Sequence, residues 1–376
     1  MTSLHIAGNS NPNFRLVEEA FLKNFEQGQE LGAAVCVYHN GDKVVDLWAG
    51  SRDADQSQPW SEDTIVNVWS TTKGAAAACV AKLVEAGQLD YSAPVSTYWP
   101  EFGVAGKQDI TVAQLFSHQS GVCGLSEPVS HDQMYDIETV TAMLASETPM
   151  WEPGTRSGYH AISIGYFAEG LFQRVVGESV GEFFNRRIAE PLDLEFYMGL
   201  PEEHEHRVAE LIHQGNKPDS LNQYEISAQV NFPVDYAMPN ERRWREMGLP
   251  SAGGTANARG VAGLYRSLLS DLSGQSCNIA SADVLKKALA CEIENQDLVL
   301  EMDLSWAAGF ALSGNIGLFG PNTQSFGHFG WGGSFGFGDP ETGLSVGYSM
   351  NCMREIHDGD QRAANIISAI YQSVSH

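Results

Sequence analysis

The chain reads as an α/β (α+β) fold: an antiparallel sheet assembled from both chain ends and flanked by helices, with a mainly helical domain supplied by the middle. Three observations predict this. Residues 32–49 alternate like paired strands and are interrupted by Asn40-Gly41, a hairpin signal because such turns need positive φ. His328 to Asn351 is glycine-rich and β-like, with a second turn at Asp339-Pro340-Glu341-Thr342-Gly343. Between these two ends helical patterns prevail, so the sheet must draw its strands from far apart in sequence.

The elements follow in order. Phe14, Val17, Phe21 and Phe25 give residues 13–27 an amphipathic helical face. An alanine-rich helix is expected at 71–87, ending near Gly87. Residues 88–150 are mixed, with turn signals at Pro94, Pro100 and Gly121. One or two helices are expected at 160–189, polar irregular loops at 200–250, and further helices at 257–271 and 361–375. The spacing predicts an α/β domain from residues 1–65 and 240–376 and a mainly helical domain from 66–239, with the active site between them.

Composition narrows the function. Of 376 residues, 43% are hydrophobic, enough for a core that holds a dry pocket. The formal net charge of -25 argues against nucleic-acid partners and anionic membrane surfaces, which attract basic patches. The acidity serves as a solubility surface; adaptation to salt is a sharper reading of the same charge. Six cysteines are scattered without a CxxC pair, so neither a disulfide framework nor a zinc site is expected; most pack as small hydrophobes. The first residues lack a basic and then apolar signal pattern, and no apolar run reaches the ~18 residues of a membrane span. The expected location is cytoplasmic, and a homo-oligomer is compatible with the sequence.

Ser70 and Lys73 lie in Trp69-Ser70-Thr71-Thr72-Lys73-Gly74. Of the eight lysines, only Lys73 has a serine three residues before it. That spacing puts both side chains on one helix face. A serine at a helix start also sits where backbone N–H groups favour negative charge. Serine needs a base, and lysine serves as one if burial or a neighbouring cation lowers its pKa. Val68, Trp69 and the alanine run supply dry surroundings. An N-capping Ser70 beside a solvated Lys73 explains these residues equally well.

Longer stretches decide between the two. They are Leu89-Asp90, Pro94-Val95 and Tyr98-Trp99-Pro100-Glu101-Phe102; Leu115-Phe116-Ser117-His118-Gln119-Ser120-Gly121; Pro153-Gly154-Thr155-Arg156-Ser157-Gly158-Tyr159-His160; Pro250-Ser251-Ala252-Gly253-Gly254-Thr255; and Phe326-Gly327-His328-Phe329-Gly330-Trp331-Gly332-Gly333. With the Ser70–Lys73 motif, and in this order, they resemble the serine β-lactamase and penicillin-binding-protein-like superfamily over nearly the whole chain. Within it the chain is similar to the class C β-lactamase-like esterases, the family VIII carboxylesterases.

The resemblance implies a nucleophilic Ser70 with Lys73 as proton acceptor, and a small-molecule ester as substrate, without metal or organic cofactor. Tyr159 matches the tyrosine that opens the family's second motif, a phenol that a nearby lysine helps to deprotonate and that relays protons. His328-Phe329-Gly330 stands in place of Lys-Thr-Gly, and the oxyanion hole falls to the N–H groups of Ser70 and Trp331. Two departures matter. Ala161 replaces an asparagine that orients the lysine and binds a lactam's amide arm. His328 replaces a permanent cation with a titratable one. Both favour neutral esters. A β-lactamase, a D-amino-acid peptidase, an acyltransferase or a small-amide hydrolase would use the same machinery, and a catalytically silent binding protein would keep the fold.

Other signals compete. Gly332-Gly333-Ser334-Phe335-Gly336 matches G-x-S-x-G, yet turn residues follow it where that motif needs a helix, so Ser334 is expected in a β-hairpin near the pocket. His204-Glu205-His206 lacks the spacing of a helical zinc motif and reads as polar surface. Arg242-Arg243-Trp244-Arg245 reads as a solvated or pocket-rim loop, and Ser117-His118 as a structural turn.

Overall fold

The computed structural model describes residues 5–214, 221–354 and 360–374. Its centre is a nine-stranded antiparallel sheet. In chain order the strands are β1 (Ala7–Ser10), β2 (Gly32–His39), β3 (Asp42–Gly50), β4 (Ile293–Gln296), β5 (Asp303–Trp306), β6 (Ala311–Leu312), β7 (Phe326–Phe329), β8 (Phe335–Asp339) and β9 (Leu344–Met350). In space they run β1-β3-β2-β9-β8-β7-β6-β5-β4. The two ends of the chain meet where β9 pairs with β2, Val346 opposite Val37. The β2–β3 hairpin turns at Asn40 and Gly41, with φ of 52° and 87°.

The longest helices among the described residues are α1 (Arg15–Glu26), α2 (Thr72–Glu85), α3 (Ser163–Val175), α4 (Ala258–Leu272) and α5 (Gln361–Val374). The expected face of α1 is real: Phe14, Val17 and Phe21 are buried, and the helix packs with α5, whose Ile366 and Ile370 are buried. Each such side chain contributes roughly 1.5–3 kcal/mol by leaving water. Helix α4 lies on the sheet, and this explains much of the glycine content of the C-terminal strands. A Cβ on Gly347 would lie 2.6 Å from the Ala262 nitrogen, and one on Gly336 would meet Val261 and run 2.6 Å from the Tyr265 ring. These glycines let helix and sheet approach closely.

The region 200–250 is more ordered than expected. Arg242–Met247 forms a helix, not a solvated loop: Trp244 is fully buried and its ring lies 5.8 Å from that of Trp69. Glu205, from the His204-Glu205-His206 stretch, receives Arg242 at 3.0 Å and also Arg245. Residues 215–220 of that region lie outside the described residues. Strands β4 to β6 carry no expectation from sequence, because they are two to four residues long and Ile293-Glu294-Asn295-Gln296 is polar. Cys36, Cys79, Cys123 and Cys352 are buried, Cys277 and Cys291 exposed. No helix among the described residues is long and apolar enough to cross a membrane.

Candidate active site

Ser70 sits on a tight turn that leads into α2. Trp69 before it is held at φ 47°, a left-handed conformation that a bulky residue rarely adopts and that the surroundings must enforce. They do so from both sides. Asn67 Oδ1 accepts the Trp69 N–H at 3.0 Å, and Thr72 Oγ1 donates to the Trp69 carbonyl at 2.5 Å. Buried Ser334 donates to the Val68 carbonyl at 2.8 Å and lies 3.1 Å from Thr71 Oγ1. The serine of the G-x-S-x-G match is therefore a strap on the Ser70 turn, at the entrance to a strand rather than a helix.

Lys73, one turn on, is 4% exposed. Its Nζ is 2.9 Å from Ser70 Oγ, 2.8 Å from the Ala161 carbonyl and 2.8 Å from the Ser251 carbonyl. Burial alone pushes its pKa far below the usual lysine range. A neutral amine has two N–H donors and one lone pair. The two carbonyls can only accept, so they take the donors, and the lone pair faces the Ser70 hydroxyl. This is the arrangement a base requires before it removes a proton. Ala161 thus orients the lysine through its backbone, although its side chain lacks the asparagine's amide.

Tyr159 lies beside this pair, its ring centroid 4.8 Å from Lys73 Nζ. The expectation of an easily deprotonated phenol is reversed. Burial pushes Tyr159 above the ordinary tyrosine range; the Ser70 hydroxyl pulls it down and Asp297 adds to the rise. Raised in this way, Tyr159 rests as a phenol, able to donate.

Asp297, Trp306 and His118 hold Tyr159 in place, and sequence reading assigned none of them to the site. Buried Asp297 accepts the Tyr159 N–H at 2.9 Å, the Ser157 hydroxyl at 2.8 Å and the Trp306 indole N–H at 3.3 Å. Trp306 stacks on Tyr159 at 5.6 Å and 9°. His118 stands edge-on to both rings, at φ 65°, and accepts the His160 N–H at 3.2 Å. The turn around His118 is structural, as expected, and it also braces the site.

His328, on β7, faces the rings of Tyr159 and Trp306, each at 5.9 Å. The expected titratable cation is not what the surroundings permit. Burial, and the charge Lys73 carries when it is protonated, push its pKa down to about 3, so it is neutral at working pH. Nδ1 donates to the Phe329 carbonyl at 3.0 Å, and Nε2 is left as a buried acceptor without a partner among the described residues. After β7, Gly330 abuts the Ser70 turn so closely that a Cβ there would lie 3.1 Å from Thr71 Oγ1 and meet the Val68 carbonyl. This brings Gly330 against Val68 and Thr71, the residues that flank Trp69 and Ser70 in the turn. The Trp331 ring lies 4.9 Å from that of Trp69 and is 36% exposed, forming an aromatic wall open to solvent.

A family model described as Beta-lactamase matches residues 17–370. The chain belongs to the beta-lactamase family. Among curated relatives, the Esterase/beta-lactamase LipL of Mycobacterium tuberculosis is 30% identical over 367 residues, covering 92% of this chain and 83% of LipL. Among solved structures, a family VIII carboxylesterase is 40% identical with a TM-score of 0.92, covering 98% of this chain and 100% of that one. EstA from Arthrobacter nitroguajacolicus Rue61a is 33% identical with a TM-score of 0.88, covering 99% of both chains. This beta-lactamase-family protein is a serine hydrolase by fold and by its esterase relatives.

Proposed function

We propose that the protein is a serine carboxylesterase acting on small or short-chain neutral esters through an acyl-enzyme on Ser70. The observation that carries this is the buried Lys73, whose Nζ lies 2.9 Å from Ser70 Oγ and 2.8 Å from each of two carbonyls, and whose pKa burial pushes far below the usual lysine range. Ser70 Oγ attacks the ester carbonyl carbon as its proton passes to Lys73 Nζ. The N–H groups of Ser70 and Trp331 hold the oxyanion; losing one such donor costs on the order of 3 kcal/mol. The bond to the alcohol oxygen then breaks, and that oxygen takes the proton back from Lys73 by way of Tyr159. Water repeats the sequence on the acyl-enzyme: its proton goes to the Tyr159/Lys73 pair, the bond between the acyl carbon and Ser70 Oγ breaks, and Oγ takes that proton back as the acid leaves.

Neutral His328 offers no cation to a substrate carboxylate, and Ala161 no side-chain amide to a lactam, which favours esters over β-lactams. The pocket lies between the sheet half, residues 1–65 and 240–376, and the helical half, residues 66–239, a division supported by the strands before residue 51 and after residue 292. Six cysteines without a disulfide fit the reducing cytoplasm, and fractionation finding the protein outside it would contradict that location.

A chain-length series of p-nitrophenyl esters, with nitrocefin alongside, tests the function on wild type and Ser70→Ala. Wild type is expected to prefer short acyl chains and to turn nitrocefin over poorly, with Ser70→Ala inactive on all. Ser70→Ala retaining esterase activity would overturn the proposal.

A further inference from the structure

Beyond the site lies a buried cation that none of the catalytic steps uses. Arg362, at the start of α5, is 1% exposed. Asp360 holds it at 3.0 Å from Nε and 2.6 Å from Nη2, and Glu30 at 3.2 Å from Nη1. The fork also reaches three carbonyls: Nη1 donates to Cys352 at 2.7 Å and to Gln29 at 3.4 Å, and Nη2 to Gly332 at 2.6 Å. The Arg354 N–H shares the Gly332 carbonyl at 3.3 Å.

Gly332 belongs to the loop that follows β7. The peptide whose carbonyl Arg362 grips is the one whose N–H, from Gly333, donates to the Gly330 carbonyl at 3.1 Å. The Gly330 carbonyl in turn belongs to the peptide that carries the Trp331 N–H. In a trans peptide the carbonyl and N–H point in opposite directions, so fixing the one aims the other. Two peptides are therefore linked head to tail, from the guanidinium to Trp331. Such chains polarise along their length, and a charged donor at the head makes the first bond a strong one. The backbone allows little substitution here. Gly332 and Gly333 sit at φ 87° and 127°, and a Cβ on Gly333 would collide with Arg362 and Asp360.

We propose that Arg362 is a positioning residue for the oxyanion hole: through the Gly332–Gly333 peptide it locks and polarises the Gly330–Trp331 peptide that donates to the substrate oxyanion. This rests on the proposed roles of Ser70 as nucleophile and of the Trp331 N–H as oxyanion donor.

The test compares wild type, Arg362→Lys and the neutral triple variant Glu30→Gln/Asp360→Asn/Arg362→Gln, which removes both buried carboxylate partners with the cation if the single variant folds poorly. Active sites are first counted by the end point of labelling with a fluorophosphonate, so that misfolded protein drops out. The kcat per labelled site and KM are then measured with p-nitrophenyl acetate. Both variants are expected to lose about tenfold in kcat per site with KM within about twofold, the mark of an interaction made in the transition state. The labelling rate should fall in parallel, and Arg362→Lys should lose less than the triple variant. A kcat per site within about twofold of wild type in both variants would overturn the proposal. Wild type that takes no label, or Ser70→Ala that does, would instead overturn the Ser70 reading, and this inference with it.

Discussion

Ser70 and Ser120 each present a hydroxyl to a nitrogen base, at 2.9 Å from Lys73 and 2.5 Å from His160. By distance alone Ser120 is the better nucleophile, and its partner is the commoner catalytic base. The differences lie in what else each group touches. His160 Nδ1 donates to the Gly158 carbonyl at 2.6 Å, so Nε2 accepts from Ser120; Ser120 Oγ also accepts the Val122 N–H at 3.1 Å. Both side chains are wholly buried, and burial pushes His160 down to about 4. Ser70 is partly exposed, stands on a strained turn at the start of a helix, and has Gly330 packed on the residues of that turn. A serine–base pair becomes a nucleophile only where a carbonyl carbon can reach it and a donor waits for the oxygen. Elsewhere the same pair is a satisfied core hydrogen bond.

The sharpest way to break this contrast is to remove each hydroxyl. Ser70→Ala is expected to lower kcat for p-nitrophenyl acetate by at least about a thousandfold. Ser120→Ala should leave kcat within about threefold and instead lower the melting temperature, because it strands a buried histidine. Stopped-flow or plate kinetics beside thermal unfolding separates the two effects. The bases come next. Lys73→Met should cost about a hundredfold or more, at the upper end of general-base effects.

The pH dependence has a definite sign. Lys73 works in its neutral form, so kcat/KM falls as pH falls through its depressed pKa and holds a plateau above it. Tyr159 is raised, so no descending limb is expected from it near neutrality. A profile in which activity begins to rise only near pH 10 would mean that Lys73 rests as a cation.

Smaller effects probe the supports. Asp297→Asn keeps the volume of a side chain that fixes Tyr159, Ser157 and Trp306, and should lower kcat by roughly tenfold to a hundredfold with little change in KM. Trp331→Ala removes only an aromatic wall and should act on KM, by a few-fold, since its catalytic contribution is a backbone N–H. A hundredfold loss in kcat from Trp331→Ala would mean that the side chain itself shapes the oxyanion hole.

Much of this was legible in the sequence where the signal is local. Asn40-Gly41 announces a hairpin through its φ requirement, and Ser70 with Lys73 announces a shared helix face. Tyr159 and His328 were placed by motif order, but their charge states were not, because burial depends on residues far away in the chain. Sequence reading treated Ala161 as a missing asparagine, whereas its carbonyl holds the lysine. Ser251 contributes in the same way, and a carbonyl leaves no trace in residue identity. Asp297 lies in an irregular stretch between two short strands, and only the folded chain brings it to Tyr159. The Ser120–His160 pair spans 40 residues and has no motif of its own.

The central claim is that one hydroxyl of this chain is acylated, that of Ser70. Peptide mass spectrometry after brief treatment with a fluorophosphonate at neutral pH measures this directly. The account predicts a single adduct on the peptide that contains Ser70 and none on the peptides of Ser120 or Ser334. An adduct on either of those, with Ser70 unmodified, would contradict it.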